Sequence, residues 1–105
     1  MPEPEVIHYE PAVLRSFAEN VFQRCGIGEK DARQAADVLS RADLRGIDSH
    51  GIARLSSYVE LIEDGTINPS PTIEVVRERT CTAAVDGDNG LGLVVASRAN
   101  EIAME

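Results

Sequence analysis

Apolar residues at Leu14, Phe17, Ala18, Val21, Phe22 and Cys25 recur three or four positions apart, which predicts a helix with one apolar stripe. Pro11 suits the first turn of that helix, and Gly26 suits the stop after its last periodic residue. A second helix is predicted from about Glu29 to Leu44, with Ala32, Ala35, Ala36, Leu39 and Ala42 on its face and Gly46 at its end. These are mostly small residues that let another helix approach closely. A third helix carries Ile52, Leu55, Val59 and Ile62, with Asp48 or Ser49 as its cap and Gly65 as its close. Asn68-Pro69-Ser70-Pro71 forbids continuation. The period then changes to two. Ile73, Val75 and Arg77 alternate with Glu74, Val76 and Glu78, and Ala83-Ala84-Val85 follow a short polar break, as in a strand hairpin. After the turn cluster Asp86-Gly87-Asp88-Asn89-Gly90, the positions Leu91, Val94, Val95, Ala99 and Ile102 predict a fourth helix. The expected fold class is α+β, mainly helical. It comprises an arm over 1–10, a three-helix subdomain over 11–65, and a strand hairpin with the start of a further helix over 66–105. With no Gly or Pro to end the fourth helix, the chain reads as cut within it.

Composition narrows the class. At 105 residues, 43% apolar and 27% charged, the chain is ordinary for a globular protein. Folding to about 5,800 Å² of surface from roughly 16,500 Å² would bury some two-thirds of it, enough for one modest core. A net charge of −8 repels phosphate backbones and anionic lipid, so nucleic acid and membranes are poor partners. The acidic start lacks the basic and apolar regions of a secretory signal, and no apolar run is long enough to span a bilayer. Cys25 and Cys81 form no disulfide framework or metal set, and read as small reduced core residues of a cytoplasmic protein.

The chemistry concentrates in Asp43-Leu44-Arg45-Gly46-Ile47-Asp48-Ser49-His50-Gly51-Ile52-Ala53-Arg54-Leu55, with Tyr58 just after. On one continuous helix, His50, Arg54 and Tyr58 would form a polar stripe about 120° from the apolar face. Arg54 offers a planar fork that matches a carboxylate. His50 exchanges a proton near neutral pH, and in a first helical turn the dipole disfavours its charged form. The pair suits a small acid bearing a carbonyl or hydroxyl beside its carboxylate. Tyr58 can hydrogen-bond the same ligand or wall it in, and Ser49 can contact it or cap. A His–Arg–Tyr stripe taken alone is more often a solvated face or a subunit contact. Asp43, Arg45 and Asp48 read as capping and ion-pair residues, and His8 lies in the tail. Gly87-Asp88-Asn89-Gly90-Leu91-Gly92 opens a helix, but its glycine spacing does not fit a dinucleotide fingerprint, and Asp86 and Asp88 would repel phosphate. A plain turn is the expectation there.

The run Ala42 to Leu55 resembles the N-terminal signature of the malate/L-lactate dehydrogenase family, type 2. That family also holds ureidoglycolate and sulfolactate dehydrogenases, diketogulonate reductase and cyclic-imine reductases. Tyr58, Gly65-Thr66-Ile67-Asn68-Pro69 and Val85 to Gly92 match as well. The resemblance implies an NAD- or NADP-dependent oxidoreductase that passes a hydride between nicotinamide and a small 2-hydroxy or 2-oxo acid. It implies a fold that is not the Rossmann fold, and a homodimer with the active site between domains. His50 would be catalytic. Ser49, His50, Arg54 and Tyr58 would contact substrate, with His50 and Ser49 at the reacting atom and Arg54 on the carboxylate. No residue here is expected to bind the cofactor or a metal. Family members are several-fold longer, and their second catalytic histidine, in an Asn-x-x-His-Phe-Gly-like segment, has no counterpart in this sequence. The 105 residues alone are therefore expected to be inactive. The competing reading is a non-catalytic helical interaction module, in which the alanine face and the polar stripe are protein contacts. A helix-turn-helix DNA binder is disfavoured by the charge.

Overall fold

The computed structural model describes residues 5–105. Pro11–Arg24 forms α1 and Glu29–Leu44 forms α2. Pro11 occupies the first turn of α1, where a missing N–H removes nothing. Both helices end in the same way. Gly26 (φ +96°) and Gly46 (φ +77°) take the left-handed conformation that side chains resist. The next residue then turns its N–H back, Ile27 to Phe22 O at 3.1 Å and Ile47 to Ala42 O at 2.9 Å. Two glycines thus set where the helices stop, as their spacing predicts.

The core lies where α1 packs along α2. Ala18 and Phe22 of α1 meet Ala32, Ala35, Ala36 and Leu39 of α2, and Phe22 and Leu39 are fully enclosed. The alanines permit the close approach. Leu55 and Ile62 from Leu55–Glu63 (α3) join this cluster, as do Val94 of Gly92–Met104 (α4) and Leu91 just before it. The Gln34 amide also donates to Ser97 Oγ at 2.8 Å, tying α2 to α4. The stripe on α1 is wider than the face it buries, since Val13 and Phe17 remain exposed.

Glu74–Glu78 (β1) and Ala83–Asp86 (β2) pair antiparallel, Val75 opposite Val85, with a bulge between Val75 and Arg77. The predicted hairpin is present, but every residue of β1 is exposed. The chain exposes 7716 Å² in all, against about 5,800 Å² for a compact monomer of its mass. Its extents of 55 × 28 × 27 Å account for the excess.

The predicted turn at 86–90 is a stitched one. Asp88 and Asn89 both have positive φ, and the Asp88 carboxylate accepts from Thr72 N–H at 2.9 Å and Asn68 Nδ2 at 3.1 Å. It ties the hairpin to the loop after α3.

The expectation of two core cysteines is corrected. Cys25 is half-buried against the core, but Cys81 is exposed at the hairpin tip, where no apolar surface covers it. Burial, with the Glu63 carboxylate, pushes the Cys25 thiol above its ordinary range. Cys81 is therefore expected to react with iodoacetamide well before Cys25 at neutral pH, as peptide mass spectrometry would show. Equal rates would contradict this placement.

Candidate active site

The segment between α2 and α3 is not the continuous helix that its spacing predicts. Asp48–His50 and Ile52–Arg54 are two separate 3-10 turns, with Gly51 in extended backbone (φ −97°, ψ −144°) between them. The α-helix begins only at Leu55. The single stripe of His50, Arg54 and Tyr58 is therefore corrected, because the break at Gly51 separates His50 from the helical run that carries Arg54 and Tyr58. Nor do Asp48 and Ser49 cap α3, since no side chain caps either 3-10 turn from its own N-cap position.

Asp43 does the capping from another helix. Its carboxylate, at the end of α2, accepts the Ile52 N–H at 2.9 Å. It lies against Gly51 so closely that a β-carbon there would overlap it. Composition and periodicity did not mark this residue for more than capping. The signal that could have exposed it was Gly51 itself, since a glycine inside a helical pattern costs about 1 kcal/mol and needs a reason.

Three of the four residues singled out by sequence are brought together. Ser49 Oγ and His50 Nδ1 share a hydrogen bond of 2.8 Å. Arg54 Nε donates to the Ser49 carbonyl oxygen at 2.8 Å. The three side chains are exposed. Among the described residues no carboxylate pairs with Arg54, although acids outnumber bases eighteen to ten. Tyr58 goes elsewhere. It is half-buried against the core, its ring 6.5 Å from that of Phe22 and tilted 47° to it.

A cleft of about 410 Å³ lies between residues 6–9, α1, α2 and this segment. Asp43, Asp48 and Ile52 line it, but His50 and Arg54 do not. The His50–Arg54 face is thus open in this chain, and this cleft is separate from it.

The turn from Gly87 to Gly92 does not fit a nicotinamide cofactor's phosphates. Space beside Gly87 is taken by Val95, and space beside Gly90 by Pro71, each with a side-chain carbon 2.7 Å from where a β-carbon would stand. The Asp86 carboxylate accepts the Asp88 N–H within the turn, the Asp88 carboxylate accepts from Asn68 and Thr72 of the loop after α3, and both would repel an anion. Among the described residues there is no grouping of three or more side chains suited to a metal ion, and no helix long and apolar enough to cross a membrane.

A family model described as malate/L-lactate dehydrogenase matches residues 9–105. L-sulfolactate dehydrogenase of Methanocaldococcus jannaschii is 45% identical over 96 residues, which is 91% of this chain and 28% of that protein. Malate dehydrogenase of Pyrococcus horikoshii is 46% identical over 92 residues, 88% of this chain and 26% of that one. Among solved structures, malate dehydrogenase from Pyrococcus horikoshii OT3 superposes with a TM-score of 0.90 at 44% identity, covering 93% of this chain and 28% of its own. Malate dehydrogenase from Entamoeba histolytica gives 0.90 at 34% identity, covering 95% and 28%. The chain spans little more than a quarter of the length of these relatives.

Proposed function

The chain belongs to the malate/L-lactate dehydrogenase family, and from that premise we propose that it supplies the substrate-side segment of an NAD- or NADP-dependent 2-hydroxyacid dehydrogenase. The observation that carries this reading is the hydrogen-bonded unit of Ser49, His50 and Arg54 on an open face. With Nε held by the Ser49 carbonyl, the two terminal nitrogens of Arg54 are the pair left to take a carboxylate in two parallel hydrogen bonds. With Nδ1 engaged by Ser49, the Nε2 atom of His50 is the one that meets the oxygen on the neighbouring carbon.

Ser49 gives this histidine two settings. When its hydroxyl donates to Nδ1, the ring proton sits on Nε2 and can hydrogen-bond a carbonyl oxygen. When Nδ1–H donates to the hydroxyl, Nε2 offers a lone pair and can accept a hydroxyl proton. A rotating hydroxyl thus matches the ring to either the oxo or the hydroxy form of an acid. Tyr58 stays in the reading as a wall beneath the segment, its ring resting on Phe22.

The remaining functions fall to other parts of an enzyme of the relatives' length. The turn that follows β2 cannot cradle the cofactor's phosphates, so those contacts, and a nucleotide fold other than the Rossmann fold, are assigned outside this chain. Residues 11–65 would then be the substrate-side subdomain, with 1–10, of which 1–4 lie outside the described residues, as an arm and 66–105 as the beginning of the catalytic core. The exposed apolar residues Val75 and Val76 of β1 are surface such a core would cover. Closure of the open His50–Arg54 face between domains of a homodimer completes the proposal.

The test is a substrate screen on the full-length protein, with malate, lactate and sulfolactate offered with NAD and NADP. Reduction of either cofactor by at least one of these acids is expected, and none by the 105 residues alone. Turnover by the short chain, or none by the full-length protein with any of them, would contradict the reading.

A further inference from the structure

We propose that Asp43 is the positioning residue of this site, a carboxylate on one helix that sets the relative placement of His50 and Arg54 on the segment after it. Asp43 stands on a firm base. It lies in the last turn of α2, where its own carbonyl accepts the Gly46 N–H at 3.0 Å and the preceding Ala42 carbonyl accepts the Ile47 N–H. Its half-buried side chain reaches across to the point where the two 3-10 turns meet. There Oδ2 takes the Ile52 N–H, a donor that the start of a helical run leaves without a partner inside the run. The same carboxylate fills the space beside Gly51. Gly51 is thus the one position between His50 and Arg54 where a side chain is excluded, and Asp43 is what excludes it.

The consequence is geometric. Residues 48–50 form one rigid turn and 52–54 another, so the angle between them is set at Gly51 and Ile52. Arg54 closes the loop by donating back to the Ser49 carbonyl. Asp43 touches neither His50 nor Arg54 through any hydrogen bond, and acts on them only by fixing this angle. A carboxylate placed there also meets the positive end of the helical run that continues into α3. The effect on catalysis rests on the proposed function. The structural effect does not.

Five variants of the full-length protein test it, four single and one double, with malate and its cofactor as the probe. Asp43→Ala is expected to lower kcat/KM for malate by about 100-fold, the scale of an ångström-sized misplacement, with cofactor KM unchanged. Asp43→Asn keeps a carbonyl oxygen for the Ile52 N–H and is expected to recover most of that loss. Asp43→Glu pushes the carboxylate into Gly51 and is expected to lose activity as Ala does. Gly51→Ala is expected to be damaging beside Asp43 and to add little beside Asp43→Ala, because the two changes remove one contact.

Native kcat/KM in a folded Asp43→Ala protein would overturn the proposal. So would an Asn variant as poor as Ala, or losses at 43 and 51 that simply add. If Asp43→Ala does not fold, the contrast between Asn and Glu decides. The Ile52 amide exchange rate and the His50 ring signals in NMR are read in parallel. Both are expected to change with Ala and to hold with Asn, whether or not the protein oxidises malate. Failure of the dehydrogenase reading is seen instead as His50 and Arg54 variants that keep full malate turnover.

Discussion

Replacing His50 by alanine in the full-length enzyme is expected to lower kcat/KM for malate by about 100- to 10,000-fold, the range of a lost proton carrier. The loss should fall mainly on kcat, because the imidazole's proton matters most as charge moves on the reacting oxygen. Cofactor binding should be unaffected if, as proposed, the phosphate contacts lie elsewhere, since Val95 and Pro71 crowd Gly87 and Gly90 in the chain's own glycine-rich turn. The supporting hydroxyl predicts a gradation. Ser49 shares a 2.8 Å hydrogen bond with Nδ1 and so only biases the tautomer. Steady-state kinetics of His50→Ala with malate is the check. A KM rise at unchanged kcat would mean that the ring only binds.

Arg54→Lys carries the second large effect. In the proposed site the guanidinium has two jobs. Nε holds the Ser49 carbonyl at 2.8 Å, and the terminal nitrogens would take the acid. An ammonium is a point charge and cannot do both. Loss of charge-assisted hydrogen bonds worth about 3 kcal/mol together corresponds to about 100-fold in kcat/KM. The loss should appear with every 2-hydroxy acid tested, because the carboxylate is common to all of them, while cofactor KM stays unchanged. A variant with native kcat/KM removes Arg54 from the site.

The parts of the fold that were legible in the sequence are those set by local rules. Pro11, Gly26 and Gly46 bracket α1 and α2 because proline at a first turn and glycine after a last one act through backbone conformation alone. The alternation over 73–78 marks β1 for the same reason. The third helix was only half legible. His50, Arg54 and Tyr58 are each four apart, and that spacing is what an α-helix would give, but the backbone at Gly51 is held extended by a carboxylate eight residues earlier. A contact of that separation leaves no periodic trace. Tyr58 was misplaced for another reason: its ring is partly buried against the core, 6.5 Å from that of Phe22, a tertiary contact that spacing does not mark. Cys81 fails in another way. Apolar character does not fix burial, and Cys81 at the hairpin tip stays exposed, outside the core cluster.

Of the site residues, the types were legible and the connections were not. The sequence names Ser49, His50 and Arg54, but only the fold shows that Arg54 spends Nε on the Ser49 backbone, leaving its terminal nitrogens for the proposed acid. Asp43 was legible as a capping residue without the identity of what it caps.

The most direct test of the account is a crystal structure of the full-length protein with oxalate, an unreactive small dicarboxylate, bound in the presence of its nicotinamide cofactor. The account predicts one carboxylate held by both terminal nitrogens of Arg54 and an oxygen of the other within hydrogen-bond distance of His50 Nε2. Oxalate bound at a distance from both side chains, with Arg54 directed into solvent, would contradict it.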